Sequence, residues 1–216
     1  MLAAVVSRIS HKRVVLASQS PRRREIFDKL GLTYEVMPSN YAEDLDKSLY
    51  VGNVVGYTVD NATKKAQVVA EKLCAAQETA NDQTETLVVG CDTVVSLDNE
   101  IIEKPTDAPD AVRILTRLSG REHDVVSGVA LVKLSTANNI DTVTLHETTR
   151  VRFAALTEPL IRAYVATGEP LDKAGAYGIQ GVGGVLIESI TGDYYNVMGL
   201  PLHRLFYQLI EMFQHK

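Results

Sequence analysis

The chain has 216 residues, 45% hydrophobic and 23% charged, with a formal net charge of −5. That length supports one large domain, or two lobes of one, with a buried core, and the composition is that of an ordinary globular protein. No apolar run approaches the roughly 20 residues that span a bilayer, and the net negative charge excludes broad coating of a nucleic-acid polymer, which needs an extended basic face.

Met1–Arg13 holds no acidic residue and carries Arg8, His11, Lys12 and Arg13, a faint likeness to an organelle-targeting leader. It reads as a frayed or disordered N-terminal extension (1–13) ahead of a single domain over 14–216. Strands are predicted at Val14–Ala17 and Thr33–Met37, then an acidic loop from Ser39 to Lys47 and a helix from about Val54 to Ala76 bearing Lys64 and Lys65. Gln77 to Glu85 is a polar surface connection. Leu87–Val95 and Glu100–Ile102 form a hairpin around Leu97-Asp98-Asn99, and Ala108–Leu118 is a helix ended by Ser119-Gly120. Longer strands follow near Asp124–Leu134 and Ile140–Phe153, joined by the turn Ser135–Asn139. Leu156–Thr167 is helical, Gly168-Glu169-Pro170 breaks it, and Leu200–Gln214 is a closing amphipathic helix. The pattern is a mixed α/β fold around one sheet with long antiparallel strands.

Cys74 and Cys91 have neither disulfide-framework nor zinc-site spacing, and the five histidines are scattered. Zinc chemistry is excluded on that pattern, and a reducing, cytoplasmic compartment is expected.

The strongest local signal is Ser18-Gln19-Ser20-Pro21-Arg22-Arg23-Arg24. Ser20 suits an N-cap and Pro21 the first helical position. Three arginines in a first turn oppose the helix dipole unless an anion binds there, so the turn reads as a phosphate site or, failing a ligand, a solvated basic helix end. Asp92, inside the apolar run Leu87–Val95, is costly to bury without partners; it either opens into a cleft or satisfies a bend beside Gly90. Strand alternation turns Thr93 away from Asp92, so both reach one ligand only if the backbone kinks. Glu103-Lys104-Pro105 delivers an acid and a base at a strand end. Glu43 and Lys65 are individually weak signals. In Lys173 to Gly184, five glycines fall within the ten residues from Gly175, marking a backbone that turns sharply or lies against a ligand, with Gln180 inside it.

Taken in order, Ser18-Gln19-Ser20-Pro21-Arg22-Arg23, Gly90-Cys91-Asp92-Thr93-Val94-Val95, Glu103-Lys104-Pro105, Leu118–His123, Glu169–Gly181 and Val197-Met198-Gly199-Leu200-Pro201 resemble the Maf-like nucleoside triphosphate pyrophosphatase family from about Val14 to Leu209. The resemblance implies an inosine-triphosphatase-like (Maf/Ham1) α/β fold, with a mixed sheet, flanking helices and two lobes around a central cleft. It also implies a homodimer and metal-dependent hydrolysis of a nucleotide to its monophosphate and pyrophosphate. The family's catalytic carboxylate falls on Asp92, and its phosphate and metal groups fall on Arg22 or Arg23, Glu43, Lys65, Lys104 and Lys173. Tyr41-Ala42-Glu43 replaces the family's more usual acidic pair. The positions separating the pyrimidine-triphosphate branch from the 7-methyl-GTP branch read Arg22, Thr93 and Gln180, which fall in the first.

The chemistry suits these residue types. Water attacking the α-phosphorus of a polyanion needs cations on the phosphates (Arg22, Arg23, Lys65, Lys104, Lys173, with Ser18 and Ser20 at the turn). It also needs carboxylates for Mg²⁺, with Mn²⁺ or Co²⁺ admitted (Glu43, Asp92), and a base, assigned to Asp92 acting on a metal-polarised water. No covalent nucleophile with an activating partner is evident. Gln180 can accept from the uracil or thymine N–H and donate to a flanking carbonyl, which favours dTTP and UTP, with modified pyrimidine triphosphates admitted. The alternatives are a 7-methyl-GTP pyrophosphatase and a nucleotide-sensing regulator of cell division; the latter's signature would be loss of the acids.

Overall fold

The computed structural model describes residues 2–80, 84–135 and 139–214. In chain order these form α1 (Leu2–Ile9), β1 (Arg13–Leu16), α2 (Pro21–Asp28), β2 (Glu35–Val36), α3 (Val54–Ala80), β3 (Thr86–Leu97), β4 (Glu100–Ile102), α4 (Ala108–Leu118), β5 (Glu122–Ser135), β6 (Asn139–Phe153), α5 (Glu158–Ala166), β7 (Ile187–Thr191), α6 (Tyr194–Met198) and α7 (Leu202–Gln214), with short 3₁₀ turns between them. One seven-stranded sheet runs β2-β1-β3-β5-β6-β7, with β4 paired to β3 off that path. β1 is parallel to β2 and β3, whereas β3, β5, β6 and β7 are mutually antiparallel neighbours. The sheet is thus mixed, with long strands and helices on its faces, as the alternating pattern predicts.

Two packing regions share the long strands. At one end, β1 and the first half of β3 are covered on one face by α2 and α7, through Ile26, Phe27, Leu205 and Leu209, and on the other by the alanine-rich middle of α3. At the other end, Val95, Leu97 and Ile102 pack against Ile114, Leu115 and Leu118 of α4 and Ile161 and Tyr164 of α5. Burying a side chain of this size removes it from water for roughly 1.5–3 kcal/mol. The residue content of β3 is therefore apolar on both faces.

Two glycines decide how closely α3 approaches the sheet. A Cβ at Gly90 would lie 2.3 Å from the Ala62 carbonyl oxygen, and one at Gly128, opposite Asp92 on β5, would lie 2.6 Å from the Thr58 carbonyl. Only hydrogen at these positions allows the helix backbone to rest on the strands. That contact brings Lys65, one residue before Ala66, over the middle of β3.

Several expectations change. The N-terminal segment expected to fray is helical in α1, with Ile9 fully buried and Arg8 Nη1 donating to the Phe213 carbonyl of α7 at 3.0 Å. Val6 and Ile9, three residues apart, join a core that Leu205, Leu209 and Phe213 of the C-terminal helix share. The strand expected over Thr33–Met37 shrinks to β2, and α3 continues to Ala80, through the first four residues of the expected surface connection. Residues 81–83 of that connection and 136–138 of the turn after β5 lie outside the described residues.

Candidate active site

The cleft opens where β3 lacks a neighbour on one edge. β5 pairs with β3 without a register break from Thr86 to Ser96. On the opposite edge, β1 accompanies β3 only to Val89, with the Ala17 amide donating to the Val89 carbonyl at 2.8 Å, and β4 takes over only at Val95. Gly90 to Val94 therefore have no strand partner on that edge among the described residues. Side chains from both faces of the strand can meet there, so Asp92 and Thr93 line one cleft without the kink that alternation was expected to require. The opening lies just beyond the carboxyl end of β1, the position where parallel strands leave a crevice for ligands.

From the α3 face comes a buried charge cluster. Lys65 Nζ lies 2.7 Å from Asp92 Oδ1 and 2.9 Å from Glu43 Oε2. Lys65 and Asp92 are 7% and 5% exposed, so their charges stand largely out of water and each depends on the other. Asp92 Oδ2 carries no hydrogen bond from the described residues. Glu43 reaches the cluster from the loop before α3 and is exposed.

From the other face comes the start of α2. Ser20 caps the helix, its hydroxyl accepting from the Arg23 amide at 3.4 Å, and Pro21 follows it. The arginines then separate. Arg23 turns inward, donating from Nε to the Gly199 carbonyl at 2.9 Å, from Nη2 to the Thr93 hydroxyl at 3.1 Å and from Nη1 to the Ser18 hydroxyl at 3.4 Å. A guanidinium has five N–H donors, so two remain for an anion. Ser18 is buried and does not line the cleft; its hydroxyl also accepts from the Ser20 amide, so it supports the turn from beneath. The Thr93 hydroxyl, held between Arg23, Ser127 at 2.8 Å and the Gly199 carbonyl at 3.2 Å, orients the guanidinium.

Arg22 crosses the cleft instead. Its Nη1 donates to Asp172 Oδ2 at 2.9 Å, while Lys173 Nζ donates to Oδ1 of the same carboxylate at 2.6 Å. Burial works against ionisation of Asp172, but the hydrogen bonds from Lys173 and Arg22 outweigh it and hold the carboxyl below the usual range. Lys104 is exposed on the rim and Gln180 lines the wall. In all, five cationic side chains face four anionic ones across the cleft, and the cations are the expected set: Arg22, Arg23, Lys65, Lys104 and Lys173.

Two of the acids, Glu103 and Asp172, were given no site role from the sequence. Glu103 accepts from the Tyr57 hydroxyl and from Lys47 Nζ, both at 2.5 Å. Its place beside Lys104 at a strand end was the available signal, but the partners 46 and 56 residues away were not legible. Nor was the meeting of Asp172 with Arg22 across 150 residues of chain. Desolvation, then the bond to Glu103, pushes the Tyr57 phenol well above its ordinary value, so it stays a donor.

Among the described residues no group of three or more His, Cys, Asp or Glu side chains forms a cage for a metal. Asp92 and Glu43, both in contact with one ammonium group, are a two-carboxylate donor set of hard oxygen atoms. That set fits Mg²⁺, which binds through one or two carboxylates and completes its shell with substrate phosphates and water.

Comparison with known proteins adds the following. The family model described as Maf-like protein matches residues 13–212. The chain is 46% identical over 216 residues to a human protein named probable bifunctional dTTP/UTP pyrophosphatase/methyltransferase, covering 99% of this chain and 34% of that protein, so it spans about a third of that relative's length. It is 42% identical over 201 residues to a dTTP/UTP pyrophosphatase of Clostridium botulinum, covering 93% of this chain and 97% of the relative. A solved structure of a HAM1 protein from Coxiella burnetii aligns with a TM-score of 0.45 at 16% identity, over 93% of this chain and 99% of that one.

Proposed function

We propose, from the premise that the chain belongs to the family of Maf-like proteins, that it hydrolyses dTTP and UTP to the monophosphate and pyrophosphate. The observation that carries this is the meeting of Arg22, Thr93 and Gln180 with Asp92 in one cleft. Relatives named dTTP/UTP pyrophosphatase at 46% and 42% identity support the same reading.

The reaction adds water across the α–β phosphoanhydride and releases a proton. Asp92 receives that proton at Oδ2, the oxygen that Lys65 does not hold, while the Lys65 contact at Oδ1 fixes the carboxylate's orientation. The triphosphate takes over the partners that Asp172 now occupies on Arg22 and Lys173, and adds the two spare donors of Arg23 and the rim charge of Lys104. A bidentate guanidinium contact to phosphate both aligns and neutralises it. Glu43 and Asp92 would hold Mg²⁺, which when bound polarises the water and neutralises phosphate charge. Gln180 offers one acceptor and two donors to the pyrimidine edge. A homodimer in the cytoplasm belongs to the same proposal, and sedimentation of the purified chain tests its assembly.

The deciding assay is pyrophosphate release from dTTP, UTP, CTP, 7-methyl-GTP and ITP with Mg²⁺. Preference for dTTP and UTP is expected. Preference for 7-methyl-GTP overturns the substrate assignment, and nucleotide binding without release of pyrophosphate overturns the catalytic one.

A further inference from the structure

Gln180 is exposed, and among the described residues its carboxamide makes no hydrogen bond to the protein. Its direction is therefore set by the backbone that carries it. That backbone is held by one carboxylate, which the function described above does not use.

Gly168, at φ +75°, ends α5 and places Glu169 at the start of the following 3₁₀ turn. Glu169 Oε2 accepts from the Val182 amide at 2.9 Å, and Oε1 accepts from the Gly183 amide at 3.0 Å and from the Tyr164 hydroxyl at 2.9 Å. The Tyr164 oxygen in turn accepts from the Gly178 amide at 3.2 Å. The segment bearing Gln180 is thus fastened on both sides, at residue 178 through the phenol and at residues 182 and 183 through the carboxylate. Its backbone lies directly against that group, because a Cβ at Gly181 would stand 2.5 Å from both Glu169 oxygens. Burial opposes ionisation of Glu169, but the amides of Gly183 and Val182 and the Tyr164 hydroxyl outweigh it, so the carboxylate is charged and each of its bonds is charge-assisted. The same residue reaches toward the phosphate side: its carbonyl accepts from Lys173 Nζ at 2.6 Å.

We infer that Glu169 is the positioning residue for nucleobase selection, fastening the turn over residues 178–183 so that Gln180 meets the base edge while its carbonyl steadies Lys173. The inference rests on Gln180 reading the base. Glu169 touches no substrate and acts through the loop.

The test uses the purified full chain and the ratio of kcat/KM for UTP to that for 7-methyl-GTP, measured for Glu169→Gln, Gln180→Ala and the double variant. Glutamine keeps the volume of glutamate but sets an NH₂ group against one of the loop amides, leaving two donors opposed. Glu169→Gln is expected to lower the ratio about tenfold, chiefly through a raised KM for UTP with kcat within about twofold. In the Gln180→Ala background the same change is expected to alter the ratio less than about twofold, because the group it aims is gone. Tyr164→Phe removes only the hydroxyl that holds the Gly178 amide and supports Glu169, and lowers the ratio in the same direction if Glu169→Gln fails to fold. The inference is overturned if Gln180→Ala lowers the ratio while folded Glu169→Gln, or Tyr164→Phe in its place, leaves it unchanged. A uniform loss on both nucleotides, the mark of a purely structural role, also overturns it. If Gln180→Ala itself leaves the ratio unchanged, base reading by Gln180 falls first and takes the inference with it.

Discussion

Asp92→Asn separates chemistry from folding, because the side chain sits in a charge cluster that contributes to both. The substitution keeps shape and one carbonyl oxygen but removes the charge opposite Lys65 at 2.7 Å. Removing one partner of an isolated buried pair costs about 3–5 kcal/mol, since the other charge is left uncompensated. Here Lys65 retains Glu43 at 2.9 Å, and that carboxylate is 44% exposed, so it supplies part of the compensation. A loss of about 1–3 kcal/mol follows, within the 5–15 kcal/mol stability usual for a domain. At about 2–4 °C per kcal/mol for a chain of this size, the melting temperature should fall by roughly 2–12 °C. Catalysis should fall much further, by about 10²-fold or more in kcat for UTP, the usual scale for loss of a general base. Lys65→Met in the same background removes the orphaned cation, so the double variant should regain stability without regaining turnover. Calorimetry and a pyrophosphate-release assay on the parent and the two variants read both quantities. An Asp92→Asn protein that is folded and turns over UTP within about fivefold of the parent refutes the assignment of Asp92 as base.

Gln180→Glu replaces a group that donates and accepts with one that only accepts. Because the position is exposed, the effect belongs at the low end of an unpaired polar contact, about 1 kcal/mol or roughly fivefold in kcat/KM for UTP, and a UTP-to-7-methyl-GTP ratio unchanged within about twofold counts against base reading. Lys104→Ala removes a rim cation with no protein partner among the described residues, so KM for UTP should rise about five- to tenfold with kcat nearly constant, as steady-state kinetics would show; an unchanged KM removes Lys104 from the phosphate path. His123 is 3% exposed, with its Nε2 2.8 Å from the Tyr177 hydroxyl, and burial lowers its pKa from 6.5 to about 4. The unfolded chain then binds the proton better, so the contribution of the neutral ring is complete above about pH 6.5 and is lost as pH falls toward 4. Between pH 7 and 5 the loss is about 2 kcal/mol, readable as a drop in urea-unfolding free energy that His123→Asn lacks; equal drops in both proteins refute it.

The sequence makes local features legible because local physics creates them. The α2 cap follows from Ser20 and Pro21, and α4 runs over Ala108–Leu118 and ends at Ser119 as read. Helix α1 was misjudged because Val6 and Ile9 join a core that α7 helps to complete from the far end of the chain. The same limit applies in the cleft. Residue type picks out Asp92 and the α2 arginines, since a carboxylate in an apolar strand and arginines at a helix start are each locally unfavourable, whereas Lys65, Lys104 and Lys173 take their roles from the resemblance. What each of them holds in the folded chain is a long-range property. Arg23 is largely committed to Gly199, Thr93 and Ser18, and Arg22 to Asp172.

The error over Thr93 shows most directly how the fold makes the site. Alternation along a strand is a rule about two faces, and it places Asp92 and Thr93 on opposite ones. It does not describe the strand's edges. β1 pairs with β3 only as far as Val89 and β4 only from Val95, so for the length of the motif β3 has a strand partner on one edge alone among the described residues. A ligand entering at that edge meets both faces at once, with Lys65 and Asp92 from the α3 side and Arg23 and Thr93 from the α2 side. The Asp92 carboxylate and the Arg23 guanidinium can then line one cleft while resting on opposite packing layers. Each layer fixes its own group by buried contacts, and neither has to bend the strand to bring the two together.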